Sequence, residues 1–239
     1  TAEAKKREAL LEAKEENLKT KNELDKEVKE IGTSAFEGTV ENIEELTIPS
    51  NVTKIGDKAF IESTTSTSKL KKITFSEGLK SIGNNVFSKS PIEELTLPNT
   101  LEEIGNSAFS NCKQLKKITM SQAIKNIGDK AFEECTSLDC TITLPASLNT
   151  IGEEVFAIPE MSYDNMKLNV KILNPNLQFS GKKTFDYCWY GTLVSQTYHL
   201  TVPFADRAAM VAKWGEPYAP DYNTWMGHYF GDNVFVFAG

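Results

Sequence analysis

Residues 95–109 read LTLPNTLEEIGNSAF, and the same grammar recurs along the chain. The hexamers IGTSAF, IGDKAF, IGNNVF, IGNSAF, IGDKAF and IGEEVF begin at Ile31, Ile55, Ile82, Ile104, Ile127 and Ile151, so successive copies lie 24, 27, 22, 23 and 24 residues apart. A degenerate seventh copy, Gly181 to Phe185, follows Ser180 where the others have isoleucine. Periods of this length mark a repeat architecture, in which each unit buries its apolar face against its neighbours.

A short alternating segment precedes each hexamer: LTIP ending at Pro49, ITFS at Ser76, LTLP at Pro98, ITMS at Ser121 and ITLP at Pro145. Alternation of apolar and polar residues predicts a half-buried strand. Leu46/Ile48, Ile73/Phe75, Leu95/Leu97, Ile118/Met120 and Ile142/Leu144 then point inward, and Thr47, Thr74, Thr96, Thr119, Thr143 and Thr201 outward. A further apolar residue lies four before each glycine, from Val28 and Val52 through Leu79, Leu101, Ile124 and Leu148 to Leu177. The residue after the glycine is Thr33, Asp57, Asn84, Asn106, Asp129 or Glu153, mostly good helix N-caps, so a helix of one or two turns is expected there.

Before the outward threonines stand Glu44-Glu45, Lys71-Lys72, Glu93-Glu94 and Lys116-Lys117, acidic and basic in turn. Stacked in register, every lysine pair lies between glutamate pairs, and cross-strand attraction replaces repulsion. Exposed pairs contribute only ~0–1 kcal/mol each, so the ladder reports register and is not the source of stability.

The pattern strand, P-x-x-L-x-x-I-G-x-x-A-F, x-x-C-x-x-L resembles the BspA-like leucine-rich repeat family over roughly residues 23–203. The resemblance implies an α/β repeat, a curved solenoid of short parallel strands and short helices, typical of bacterial surface or secreted proteins. It further implies adhesion to host matrix proteins such as fibronectin and fibrinogen. We expect a capping helix at 1–22, about seven coils at 23–203 and an aromatic-rich cap at 204–239. The front segment is rich in Ala, Leu, Glu and Lys, with i,i+4 pairs Glu3–Arg7 and Glu15–Lys19. Its apolar residues form no single stripe, and a coiled-coil partner helix is the other reading. Near the end, Asp206 is a plausible N-cap for a helix from Ala208 to Trp214.

Four places depart from the pattern. Residues 61–68, IESTTSTS, and residues 157–167 lengthen two coils; the strand near 168–173 fits registers with Leu168/Val170 and either Ile172 or Leu173 inward; and Tyr198 to Pro203 has no hexamer after it.

The chain has 239 residues, 26 Lys plus Arg against 33 Asp plus Glu, and a net charge of −7. Without a basic cluster, nucleic acid is not an expected partner. No apolar run approaches the ~18 residues of a membrane span, and no charged-then-apolar signal segment stands at the start; the extracellular or cell-surface location is what the family resemblance implies.

Cys112, Cys135 and Cys188 each follow a repeat phenylalanine by three residues and are expected as a buried column. Cys140 lies off it, and pairing with Cys135 stays open. Cys188 with His199 or His228 is the one conceivable nucleophile–base pair, and the column already accounts for the cysteine. With no phosphate-binding, zinc-binding or nucleophile-elbow motif, the chain is expected to be no enzyme and to need no cofactor or metal. The leading expectation is a binding module for a protein partner. Its contact residues are Glu45, Lys72, Thr74, Glu94, Thr96, Lys117, Thr119 and Thr143 on the outward strand face. The alternatives are glycan binding through Trp189, Tyr190, Trp225 and Tyr229 in the aromatic end, or a passive spacer.

Overall fold

A computed structural model of the chain describes residues 22–23, 28–62, 68–157, 167–180, 199–214, 224–225, 228–229 and 235–238. These form a solenoid of parallel strands with two ladders along its length. The first ladder contains Asn22–Glu23, Glu45–Ile48, Lys72–Phe75, Glu94–Thr96 and Lys117–Thr119. It is continued by Asp139–Leu144, Lys167–Ile172, His199–Val202 and Phe235–Phe237. Across the junction Asp139 donates its N–H to the Lys116 carbonyl at 3.0 Å. The second ladder is a seven-stranded sheet of two-residue strands, from Glu30–Ile31 through the Ile-Gly copies to Gln178–Phe179. Strands follow one another in chain order in both, because each coil lies on the one before it.

One apolar core runs through the coils. The residues four before the glycines, Val52, Leu79, Leu101, Ile124, Leu148 and Leu177, are buried, as are the inward strand residues. The repeat phenylalanines form a column: Phe36, Phe60, Phe87, Phe109, Phe132 and Phe156 stack at centroid separations of 5.0, 5.3, 5.5, 5.4 and 5.6 Å with near-parallel rings. Such aromatic pairs add about 0.5–1.5 kcal/mol beyond burial.

The segment after each Ile-Gly is not the expected short helix. Ser34, Lys58, Asn85, Ser107, Lys130 and Glu154 have φ between 52 and 57°, which a right-handed helix cannot accommodate. The chain instead makes tandem turns whose alternate N–H groups reach the next coil. Ser34 donates to Asp57 O, Phe36 to Ala59 O and Gly38 to Ile61 O at 2.8, 2.8 and 2.9 Å, and Ser107, Phe109 and Asn111 do the same with Asp129, Ala131 and Glu133. The side chains expected as N-caps bond across coils too: Asn84 N–H donates to Asp57 Oδ1, Asn106 to Asn84, Asp129 to Asn106 and Glu153 to Asp129, at 2.7–2.9 Å.

Among the described residues the α-helix is Arg207–Trp214, which starts one residue earlier than expected. Asp206 Oδ1 accepts the Ala209 N–H at 2.9 Å. Trp214 sits edge-on to Phe204 and Phe179, and its Nε1 donates to Pro175 O at 3.1 Å. The strand at 167–172 takes the register with Leu168, Val170 and Ile172 inward, paired with Cys140, Ile142 and Leu144, and leaves Leu173 exposed. Of the segment expected as a front helix at 1–22, residues 1–21 lie outside the described residues and Asn22 belongs to a strand; the core of the Ser/Thr insertion, the lengthening at 158–166 and the degenerate hexamer also lie outside them.

Cys112 and Cys135 are buried free thiols, as the column predicts, and their Sγ atoms contact Phe87 O and Phe109 O of the preceding coil at 3.3 Å. Ser90 occupies the same position one coil earlier; it is fully buried, and its Oγ has no hydrogen-bond partner. In the two later coils the longer C–S bond carries a thiol to 3.3 Å from the preceding coil's carbonyl. Cys140, also a free thiol, is half-buried, so no Cys135–Cys140 disulfide is present.

Two stability changes follow from this packing. Phe109→Ala removes the middle of the ring column and should lose ~3–5 kcal/mol in urea unfolding; a loss under ~1 kcal/mol would contradict the column's role. Ser90→Cys should gain about 1 kcal/mol by supplying a group that reaches the preceding carbonyl.

Candidate interaction face

The first ladder turns one side of each strand to the core and the other to solvent, because side chains alternate along a strand. Its outward side carries the residues expected from sequence. Glu45 pairs in register with Lys72, Lys72 with Glu94 and Glu94 with Lys117, and all four are exposed. Lys72 Nζ lies 3.8 Å from Glu45, and in the adjoining row Lys116 lies 3.5 Å from Glu93. Beside this row run the threonines: Thr47 pairs with Thr74, and Thr96 with Thr119. Thr74, Thr96 and Thr119 are exposed and Thr143 half-buried, whereas Thr47, expected outward with them, is buried.

Lys171, which the sequence reading missed, interrupts the threonine row between Thr143 and Thr201. Its strand was ambiguous in register, so alternation alone did not assign its face. Of the aromatic alternative, Trp225 and Tyr229 lie on the paired two-residue strands Thr224–Trp225 and His228–Tyr229, with Trp225 opposite His228. Trp189, Tyr190 and Cys188 lie outside the described residues.

A shallow groove of about 530 Å³ runs along the Ile-Gly ladder. Lys54, Ser81, Glu103, Asn126 and Thr150 line it, together with Asp57, Asn106 and Asp129. Its floor is low because the glycines carry no side chain. The last three side chains are committed to the inter-coil bonds already described. The sequence signal for this groove is the polar residue before each isoleucine.

On the flank of the second ladder, Glu102 bridges Lys80 and Lys125 at 3.1 and 2.5 Å. The hydrogen bond from Lys125 first, then that from Lys80, holds the Glu102 carboxyl below the ordinary carboxylate value. Lys130, hydrogen-bonded to Glu154 and Glu133, is held above the ordinary lysine value. Glu62 accepts the Ser68 N–H at 3.0 Å across the base of the Ser/Thr insertion, and burial pushes its carboxyl up. Burial likewise pushes up the thiols of Cys112 and Cys140, which opposes thiolate chemistry. Among the described residues no group of three His, Cys, Asp or Glu side chains could hold a metal ion, and no helix is long and apolar enough to cross a membrane.

The BspA type leucine rich repeat region, as a family model, matches residues 14–67, 29–160 and 62–190, with six copies. The chain belongs to this family. Among solved structures, this BspA-type chain is similar to a leucine rich repeat protein of T. pallidum, with 26% identity and a TM-score of 0.53, over 64% of the chain and 72% of that protein. The pneumococcal vaccine antigen PcpA shares 21% identity and a TM-score of 0.53, over 80% of the chain and 63% of its own length. A leucine-rich repeat protein of Bacteroides ovatus shares 22% identity and a TM-score of 0.50, over 77% of the chain and 55% of its own length. The last two likenesses are likenesses of fold. No curated protein matches the chain.

Glu102, on the flank of the second ladder, gives the fold a pH signature. A lowered folded-state pKa contributes stability that is complete above the unfolded value of 4.5 and is lost as pH falls through the folded value. The stability difference between wild type and Glu102→Gln should therefore be largest near neutral pH and shrink on acidification below that value, as followed by urea denaturation at low salt. A difference that grows on acidification would refute the assignment.

Proposed function

We propose that this chain is a non-catalytic adhesion module of the bacterial cell surface or extracellular space, which engages a host matrix-type protein through the outward face of its first ladder. The contact residues are Glu45, Lys72, Thr74, Glu94, Thr96, Lys117, Thr119 and Thr143. The observation that carries the reading is the geometry of that face, a row of exposed charges and hydroxyls held in register across successive strands. Repeat solenoids offer such extended surfaces to macromolecular partners, and membership of the BspA-type family accords with that use. Because acidic and basic rows offset each other, the face has little net field. Specificity then comes from the order of charges, and affinity for any one partner is modest.

The test is binding of the purified chain to immobilised fibronectin and fibrinogen by biolayer interferometry. Saturable binding is expected, and joint reversal with Lys72→Glu and Lys117→Glu should weaken it by about tenfold or more. Absence of saturable binding up to about 100 μM, or binding indifferent to the reversals, would overturn the proposal.

A further inference from the structure

The order of charges on the first ladder has a symmetry. Read along the solenoid it is Glu45, Lys72, Glu94, Lys117, with Glu44, Lys71, Glu93 and Lys116 repeating it in the adjoining row. Read backwards, every position changes sign. A surface of this kind is complementary to itself when a second copy faces it with the coil order reversed. A two-fold axis that lies in the face along the strand direction produces that arrangement. Glu45 then opposes Lys117 of the second copy, Lys72 opposes its Glu94, and the same contacts repeat on the other side of the axis, as an isologous interface requires. The same axis brings threonine rows together and adds no like-charge contact. An axis parallel to the solenoid and running along the charge row would instead set Glu45 against Glu45 and Lys72 against Lys72, so that row disfavours such an arrangement.

We infer that the outward face of the first ladder binds a second copy of this chain, face to face with the coils antiparallel. The side chains are free to do so. In the in-plane pair, Lys72 and Glu45 are 64% and 46% exposed. The separation of 3.8 Å is long for an ion pair, and leaves donor and acceptor to turn outward. A facing copy would give each charge opposite neighbours above as well as beside it. The inference deepens the proposed function: it rests on the same face as a contact surface and names one partner for it.

Sedimentation equilibrium of the purified chain alone tests it, with no matrix protein present. Wild type should form dimers at low salt, and the dissociation constant should rise about tenfold or more between about 50 and 500 mM NaCl, where screening removes exposed pairs. An all-acidic variant, Lys72→Glu with Lys117→Glu, and an all-basic variant, Glu45→Lys with Glu94→Lys, should each be monomeric alone and should dimerise when mixed. The fully exchanged variant, which combines all four substitutions, keeps the in-plane alternation. It should dimerise with itself and fail to co-assemble with wild type. A wild type that stays monomeric at low salt up to about 500 μM would overturn the inference and leave matrix binding standing. Dimers that persist in both single-sign variants would overturn it as well, because the interface would then be elsewhere.

Discussion

Every property of this molecule depends on one constraint: the backbone of each coil is completed by hydrogen bonds to the coil beside it. The first ladder, the second ladder and the tandem turns all pair with the equivalent residues of a neighbour. An extra residue cannot stay on a rung without shifting every rung after it; the 27-residue repeat has its additional residues between Phe60 and Leu70, and the register is in phase at Ile73. The same pairing brings coils too close for side chains at the second ladder's glycines. A Cβ on Gly105 would lie 2.6 Å from the Gly83 carbonyl carbon and 2.8 Å from Asn84 N, backbone atoms that cannot turn aside.

How much of this could be read from the sequence depended on whether one residue carried one role. Leu95, Leu97, Leu101, Ile104 and Phe109 have apolar side chains with a single use, and all are buried. The turn segments misled for the opposite reason. Asp57, Asn84, Asn106 and Asp129 have side chains that accept backbone N–H groups at a helix start, and here they accept the same group from the following coil. The left-handed residues after them are Lys58, Asn85, Ser107 and Lys130, where no glycine announces a positive φ. Inter-coil bonds offset a backbone cost of about 1–2 kcal/mol per residue that no local pattern could have revealed.

The candidate face was legible because its alternation of charge has no meaning within one strand and acquires one only across several. Glu45, Lys72, Glu94 and Lys117 are unremarkable singly; their pairing makes them a surface. Thr47 shows the limit, since alternation put it outward and its neighbourhood buries it. Lys171 and the glycine-floored groove went unread because each depends on the relation between coils, which a single repeat does not contain.

The tandem turns give the array an electrical direction. Within the tandem turns, the peptide units that bond between coils point the same way: N–H groups of Ser34, Phe36 and Gly38, of Lys58, and of Ser107, Phe109 and Asn111 face later coils, and the carbonyls they meet face earlier ones. Along a strand such dipoles alternate and cancel; in this column they add, as in an α-helix. The two extremities of the column are thus chemically unlike, the leading one rich in acceptors and the trailing one in donors. Whatever closes the leading extremity must bring hydrogens, and whatever closes the trailing one must bring lone pairs or negative charge. Terminal units of this array are therefore not interchangeable, even where their apolar residues match.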